Sequence, residues 1–507
     1  MNEVKGIMKL NSSQIKRQKT WQEACWFAGR PLQANGVSYQ AYYSEGGKAS
    51  HKGKDLTEVR SSQRKLIPDN VGLEQCEQTS LRGIATKAKT DGKHRFNDLY
   101  RCLNVPFLLS CWKDLNKKAA SGVDKVTAQD YEEHLVDNIQ TLVERLKNKQ
   151  YRAKLVRRCY IPKGNGKERP LGIPVLEDRL VQLACVKLLS AIFEADFLDN
   201  SYGYRPKRSA KDAVNDLRFN LQFGKYGYIV EADIKGFFNH MDHEWLLKML
   251  KLRINDAPFL NLIQKWLKAG ILDTDGAVIH PETGTPQGGI VSPVLANVYL
   301  HFALDLWFEK IVKVHCDGDA MIIRYADDFV CAFQYRRDAV KFFRELPKRL
   351  DKFCLSVAPE KTGMQRFSRF HPSRHRVIIF LGFETYWTID KKGKPRVMQR
   401  TARKKLHGAC KRIKEWIKIN RHLKGIKFIK ALNKRLQGHY NYYSVVGNLR
   451  SIWSFYSWAV ECSFKWLNRR GGKRKSFTWK VFLRAIERLG LAKPKLPMSI
   501  KRHLVYS

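Results

Sequence analysis

The amino-acid sequence predicts a mixed fold, α/β (α+β), in which short strands alternate with helices before a helical, strongly basic end. Three observations carry that prediction. Leu135, Ile139, Leu142, Val143 and Leu146 recur at spacings of three and four, which predicts a helix near 129–148. Tyr226–Asp233, Ala320–Arg324 and Phe329–Phe333 are short β-rich runs, and the last two are separated only by Tyr325-Ala326-Asp327-Asp328, which reads as a tight hairpin with acids at its tip. Beyond Pro395 the pattern becomes helical, with Leu406, Ile413, Trp416 and Ile417 forming an apolar stripe among lysines and arginines.

Taken in order, residues 1–90 are polar, with Gly46-Gly47 and Ser-rich pieces, and read as a basic N-terminal extension, partly disordered. After the 129–148 helix, Val156–Lys163 and Glu168–Ile173 flank Gly164-Asn165-Gly166-Lys167 and predict a β-hairpin. Arg157, Arg158, Lys163, Lys167 and Arg169 line its tip and flanks, as a solvated turn or as a cationic hairpin closing over a triphosphate or a template backbone. The run Arg469-Arg470-Gly471-Gly472-Lys473-Arg474-Lys475 reads as a basic loop leading to a short helix over Val481–Leu489.

The chain of 507 residues carries 93 Lys+Arg against 48 Asp+Glu, a net charge of +45. At 44% hydrophobic residues it has enough for a core, and its length suggests several domains. The charge is concentrated: residues 391–507 hold 32 Lys+Arg and three acids, Glu415, Glu461 and Glu487. Such a surface attracts a polyanion, nucleic acid first, because neutralised phosphates release counterions. A membrane partner is disfavoured, since no run of about 18 apolar residues exists to span a bilayer. Met1–Gln40 has no apolar stretch of secretory type, and eleven cysteines without a CxxC pair point to a reduced, intracellular protein without structural zinc.

Asp327 and Asp328 would repel each other at the tip of a hairpin unless a divalent cation lay between them. Asp233, at the end of another β run, would complete a carboxylate site suited to Mg²⁺, which prefers carboxylate oxygens, water and phosphates. Two such ions about 3.5–4 Å apart can serve in-line phosphoryl transfer.

These residues carry a resemblance. Arg324-Tyr325-Ala326-Asp327-Asp328-Phe329 resembles the polymerase signature of reverse transcriptases, and Glu231-Ala232-Asp233-Ile234-Lys235-Gly236-Phe237-Phe238 is similar to their preceding metal-binding motif. Gly284–Asn297, Arg169–Pro174, Ser201–Pro206, Pro359–Thr362 and Phe380–Phe383 match in the family's order. Within the family the chain most resembles bacterial group II intron-encoded proteins, which are both reverse transcriptase and splicing maturase. The resemblance implies a right-hand polymerase: fingers over 91–225, a palm with an antiparallel sheet over 226–390, a helical thumb/maturase domain over 391–468, and a basic segment over 469–507 without an endonuclease.

It further implies that Asp233, Asp327 and Asp328 hold two Mg²⁺ ions, for which Mn²⁺ could substitute, with the backbone carbonyl of Ile234 as a further ligand. Phe238 matches the steric gate against a ribose 2′-OH, with Phe237 beside it in the core. Gln287 would lie against the incoming nucleotide, Lys163 and Arg169 near its triphosphate, and Lys361 matches a lysine that protonates pyrophosphate or is a solvated helix-end residue. Arg157, Arg158, Lys167, Arg435, Arg469, Arg470, Lys473 and Arg474 are candidate RNA or DNA contacts. Fifteen aromatics in 391–507, among them Trp416, Tyr440, Tyr442, Tyr443, Trp453, Phe455, Trp458, Trp466 and Trp479, read mostly as helix-packing core.

The implied partners are group II intron RNA, an RNA template with a DNA primer, deoxynucleotides and target DNA, with a homodimer left open. The implied location is the bacterial cytoplasm, in a ribonucleoprotein that is nucleoid-associated during mobility. The alternatives are a stand-alone domesticated or defence reverse transcriptase, or an RNA-binding splicing factor with little polymerase activity. An RNA-dependent RNA polymerase is disfavoured by Phe238 and by Ala326.

Overall fold

The computed structural model describes residues 71–162, 168–373, 375–469 and 476–495. Lys163, Lys167, Arg470, Lys473 and Arg474, and most of the N-terminal extension, lie outside the described residues.

The chain enters through α1 (Val71–Thr90), α2 (Val105–Asp114), α3 (Ala128–Glu133) and α4 (Leu135–Lys147). The expected single helix near 129–148 is two helices. Thr127 and Asp130 form a reciprocal capping box that starts α3, and His134, at φ −123° and ψ 43°, breaks the chain before α4. Ile139, Leu142, Val143 and Leu146 of α4 are buried, as their spacing predicts.

The hairpin is present as β1 (Val156–Pro162) against β2 (Glu168–Ile173), with Arg157 opposite Ile173 and Ile161 opposite Arg169. Two helices follow, α5 (Leu176–Phe193) and α6 (Ala210–Phe223), then β3 (Tyr228–Asp233). A helical turn α7 (Phe237–His240), α8 (His243–Leu250) and α9 (Ala257–Leu267) lead to the short strands β4 (Ile271–Leu272) and β5 (Val278–Ile279). These join the hairpin as a sheet of order β2-β1-β4-β5. After α10 (Ser292–Leu300) the chain continues through π-helical turns at His301–Asp305 and Phe308–Val312.

The central sheet has the order β6-β7-β3-β8, from β6 (Ala320–Tyr325), β7 (Asp328–Phe333), β3 and β8 (Gly363–Arg366), every neighbour antiparallel. Between β7 and β8 runs α11 (Arg336–Asp351). Side chains alternate across a strand, so the sheet feeds two cores. Val230, Ala232, Ile322, Phe329, Cys331 and Phe333 pack on one face with residues of α5, α10 and α11. Ile229, Met321, Ile323, Val330 and Ala332 pack on the other with Ala213, Val214, Leu217 and Leu221 of α6.

A further hairpin departs from the sequence expectation. Pro395–Thr401 is not helical but a strand, β11, paired along its whole length with β10 (Phe383–Ile389), which in turn pairs with β9 (Ile378–Phe380). Val397 and Gln399 alternate inward while Arg396, Met398 and Arg400 stay half-buried, a period of two that the surrounding cations disguise. A division at 390 therefore falls in the turn of one hairpin, and the helical part begins at Arg403.

That part comprises α12 (Arg403–Asn420), α13 (Gly425–Tyr443), α14 (Leu449–Leu467) and α15 (Trp479–Arg488) around a separate core. Ile413 and Ile417 of α12 meet Leu432, Leu436 and Tyr440 of α13 and Phe455 of α14 there. The aromatic expectation holds for Tyr440 and Phe455, which are buried, and for Trp416, Tyr443 and Trp466, which are partly so. It fails for Tyr442, Trp453, Trp458 and Trp479, which are exposed. Among the described residues no helix is long and apolar enough to cross a membrane.

Candidate functional site

Strand alternation decides where the carboxylates go. Asp233 is two and four residues from Glu231 and Ile229, and Asp328 two and four from Val330 and Ala332, so both project from the face that carries the α6 core. They are also register partners, Asp233 opposite Asp328 at the last rung of β3 and β7. Tyr325 pairs with Asp328, leaving Ala326 and Asp327 as a two-residue turn in which Ala326 has φ 57°. The tight hairpin expected from the sequence is thus present, with Asp327 at its tip.

Like charges crowd this end of the sheet. Burial, and then Asp233 and Asp327, push the Asp328 carboxyl up to about 7. Burial likewise raises Asp327, with Asp233 adding to it and the cations Arg169 and Lys361 opposing. Lys361, in the turn of helix Pro359–Lys361, places Nζ 2.5 Å from Oδ2 of Asp233. Its loop is held to the end of β3 by backbone bonds, Ala358 N–H donating to the Asp233 carbonyl at 2.8 Å and Lys235 N–H to the Ser356 carbonyl at 2.8 Å. Ile234 is buried and bridges to Val357.

Among the described residues no three His, Cys, Asp or Glu side chains form a group that could hold a metal ion. The Lys361 ammonium meets Asp233, and the Leu381 N–H bonds the carboxylate of Asp328. The donor chemistry suits a hard divalent cation, because the charge of Asp233 raises the cost of ionising Asp327 and a cation between them would relieve it. Carboxylates at this end of the sheet are the donor type such a cation takes, with the remaining coordination left to water and substrate oxygens.

On β2, Arg169 Nε donates to Gln287 Oε1 at 3.0 Å, which joins two residues named separately from the sequence. The Gln287 carbonyl accepts from Gly172 N–H at 2.6 Å. Gly288, at φ 121°, lies so close that a Cβ would come within 2.3 Å of the Gly172 carbonyl oxygen. Phe238 and Phe237 both sit in the core, their ring centroids 5.4 Å apart, with Phe238 the more accessible at 9% against 1%. The Phe238 carbonyl accepts from Thr285 N–H at 2.7 Å, tying it to the loop that carries Gln287.

Other expected contacts fare differently. Arg157 Nε and Nη2 donate to the Ser121 carbonyl at 3.2 and 2.7 Å. Arg158 is half-buried. Arg435 is exposed and lies over the Trp416 ring at 4.1 Å, while Arg469, Lys418 and Arg421 approach Trp466 at 5.7, 5.6 and 5.5 Å.

Sequence reasoning gave no role to Gly203 or Arg324, and read Tyr442 only among the helix-packing aromatics. A Cβ on Gly203 would come within 2.5 Å of Ala326 N and 3.0 Å of the Tyr325 carbonyl carbon, so the Ser201–Arg205 loop rests directly on the carboxylate turn. Tyr442 of α13 donates its hydroxyl to the Leu381 carbonyl at 3.0 Å, and Leu381 N–H in turn faces Asp328. Arg324 was legible in one respect: a lone arginine closing the apolar run Ala320–Ile323 must find a buried partner.

Residues 161–385 match the family described as reverse transcriptase (RNA-dependent DNA polymerase), and Asp233, Asp327 and Asp328 all lie inside that span. Protein YkfC of Escherichia coli (strain K12) is 34% identical over 298 residues, covering 52% of this chain and 77% of that protein. The chain belongs to the reverse transcriptase family. Group II intron-encoded protein LtrA of Lactococcus lactis subsp. cremoris is 28% identical over 475 residues, covering 76% of each. An uncharacterized 91 kDa protein in the cob intron of Schizosaccharomyces pombe is 39% identical over 176 residues, 35% of this chain and 21% of that protein. As a member of the family the chain is an RNA-directed DNA polymerase, and the helices α12–α15 lie beyond the matched span.

Proposed function

We propose that the chain polymerises DNA on the RNA of the group II intron that encodes it, and that its basic helices bind the same RNA and assist its folding for splicing. The central sheet acts as palm, the β2-β1-β4-β5 sheet as fingers and α12–α15 as thumb. The observation that carries this reading is the meeting of Asp233 and Asp328 at one rung, with Asp327 on the adjoining turn.

In this reading Asp233 and Asp327 are the residues that would hold Mg²⁺, and the bound ions would activate a primer hydroxyl and stabilise the leaving pyrophosphate. Asp328 would complete the group as its third carboxylate. Arg169, braced by Gln287, presents its guanidinium toward the triphosphate, where a charge-assisted bond stabilises developing negative charge. Phe238 walls the sugar pocket against a 2′-hydroxyl. Lys361, held by Asp233 before substrate arrives, is placed to donate a proton to pyrophosphate. Duplex RNA is read through shape and backbone, which suits the lysines and arginines of α12–α15.

The test is primer extension on an RNA template with Mg²⁺ and deoxynucleotides, wild type beside Asp327→Asn. The variant should lose product by orders of magnitude while keeping its RNA affinity. Equal loss of both would remove Asp327 from catalysis. No product from a folded, RNA-binding wild type would favour a splicing factor that has retained a polymerase fold.

A further inference from the structure

Arg324 is fully buried, at 0% exposure, and so is its partner Asp305 at the end of the π-helical turn. A guanidinium has five N–H donors in a fixed fork, and here each one has an acceptor. Nε donates to Asp305 Oδ1 at 2.7 Å and Nη2 to Asp305 Oδ2 at 2.5 Å. The second Nη2 bond goes to Ser201 Oγ at 2.7 Å, and Nη1 donates to Asn297 Oδ1 at 3.1 Å. The remaining Nη1 donor reaches the Ala326 carbonyl oxygen at 3.0 Å.

That last acceptor belongs to the carboxylate turn itself. Ala326 has φ 57°, a conformation that residues with a Cβ rarely adopt, and its carbonyl begins the peptide unit that carries Asp327. One further acceptor, Asn297, ties the same fork to the neighbouring loop. Asn297 also donates from Nδ2 to the Gly203 carbonyl at 2.7 Å, in the loop that lies against Ala326 N. The main chain of Arg324 is clamped as well, its N–H to the Asn200 carbonyl and its carbonyl to Tyr202 N–H, each at 2.9 Å.

We infer that Arg324 is the positioning residue of the polymerase centre: anchored on Asp305, it grips the Ala326 carbonyl from beneath and sets where Asp327 presents its carboxylate. The inference rests on the reading of Asp327 as a catalytic carboxylate. A lysine cannot replace this grip, because one ammonium cannot hold both Asp305 oxygens and reach Ala326 and Asn297 at once. A neutral residue would leave Asp305 buried without its counter-charge.

The experiment compares Arg324→Lys with Ser201→Ala, which removes one guanidinium acceptor that is not part of the turn. Because losing a cation beside a buried carboxylate can unfold the chain, the paired variant Arg324→Met/Asp305→Leu is measured alongside. Four quantities are read: melting temperature, RNA affinity, kcat and KM for deoxynucleotide, and Mn²⁺ binding to the nucleotide-free protein by electron paramagnetic resonance. Arg324→Lys and the paired variant should lose about 10²-fold in kcat, the scale on which small misplacement costs rate. They should also bind Mn²⁺ more weakly while RNA affinity and nucleotide KM stay near wild type. Ser201→Ala should melt earlier without a change in Mn²⁺ binding.

A paired variant that folds and matches wild type in kcat and Mn²⁺ binding would overturn the inference. So would kcat losses that merely track the folded fraction, or equal Mn²⁺ weakening in Ser201→Ala. Asp327→Asn, run in the same assay, separates the two readings. If it retains polymerisation, the catalytic assignment fails; if it loses polymerisation while the Arg324 variants do not, only the positioning role fails.

Discussion

The ammonium of Lys361 stands 2.5 Å from Oδ2 of Asp233, joining residues 128 apart in sequence at the end of β3. The contact raises the Lys361 pKa through its hydrogen bond to Asp233, so the lysine stays charged there. A cation that binds Asp233 must displace or share that ammonium.

Lys361→Ala should therefore tighten Mn²⁺ binding to the nucleotide-free protein. The lysine is largely exposed, and an exposed ion pair is worth at most about 1 kcal/mol, which limits the gain to about fivefold. Titration followed by the resonance of free Mn²⁺ measures it. Unchanged or weaker binding would show that the ammonium does not compete for Asp233.

Gly203→Ala should act on the turn without touching a carboxylate. The new Cβ would lie 2.5 Å from Ala326 N, well inside contact distance, and the backbone there has to shift. Primer extension should fall by about 10²-fold, while circular dichroism and RNA affinity remain close to wild type. Retained polymerisation would mean that the Ser201–Arg205 loop moves in place of the turn.

Asp178 gives a pH dependence. It is 2% exposed, accepts from the Tyr151 hydroxyl and from Lys154 N–H, and burial pushes its carboxyl from the ordinary 3.8 to about 6. The native state then holds the Asp178 proton more tightly than the unfolded chain does. This contribution is complete below about pH 4 and is lost as pH rises through about 6. Wild type should therefore lose stability relative to Asp178→Asn from pH 4 to pH 7, by on the order of 3 kcal/mol at most for a shift of that size. Denaturant melts at several pH values measure it, and a difference independent of pH would contradict the burial argument.

Much of the site was legible in the sequence because it is local. The β-rich runs around Tyr325–Asp328 are contiguous, so their hairpin and the two acids at its end follow from period and turn alone. The same holds for β1 and β2 around Gly164–Lys167, and for the face of α4. Where a local signal was overlaid by another, the reading failed. Pro395–Thr401 is a strand whose alternation is masked by a basic composition shared with the helices after it, and the break at His134 has no periodic signature.

By itself the sequence determined the identity of the carboxylates, the hairpin that presents two of them and the cationic character of the C-terminal helices, since composition and short-range period need no partner. Only the tertiary structure decided that Asp233 and Asp328 share a rung, that Lys361 meets Asp233, and that Arg169 bonds Gln287. It alone decided that Arg324 is buried against Asp305 beneath Ala326. These are contacts between segments from 19 to 128 residues apart, and which of many compatible partners meet is set by how sheets and helices pack around their cores, not by any pattern along one segment.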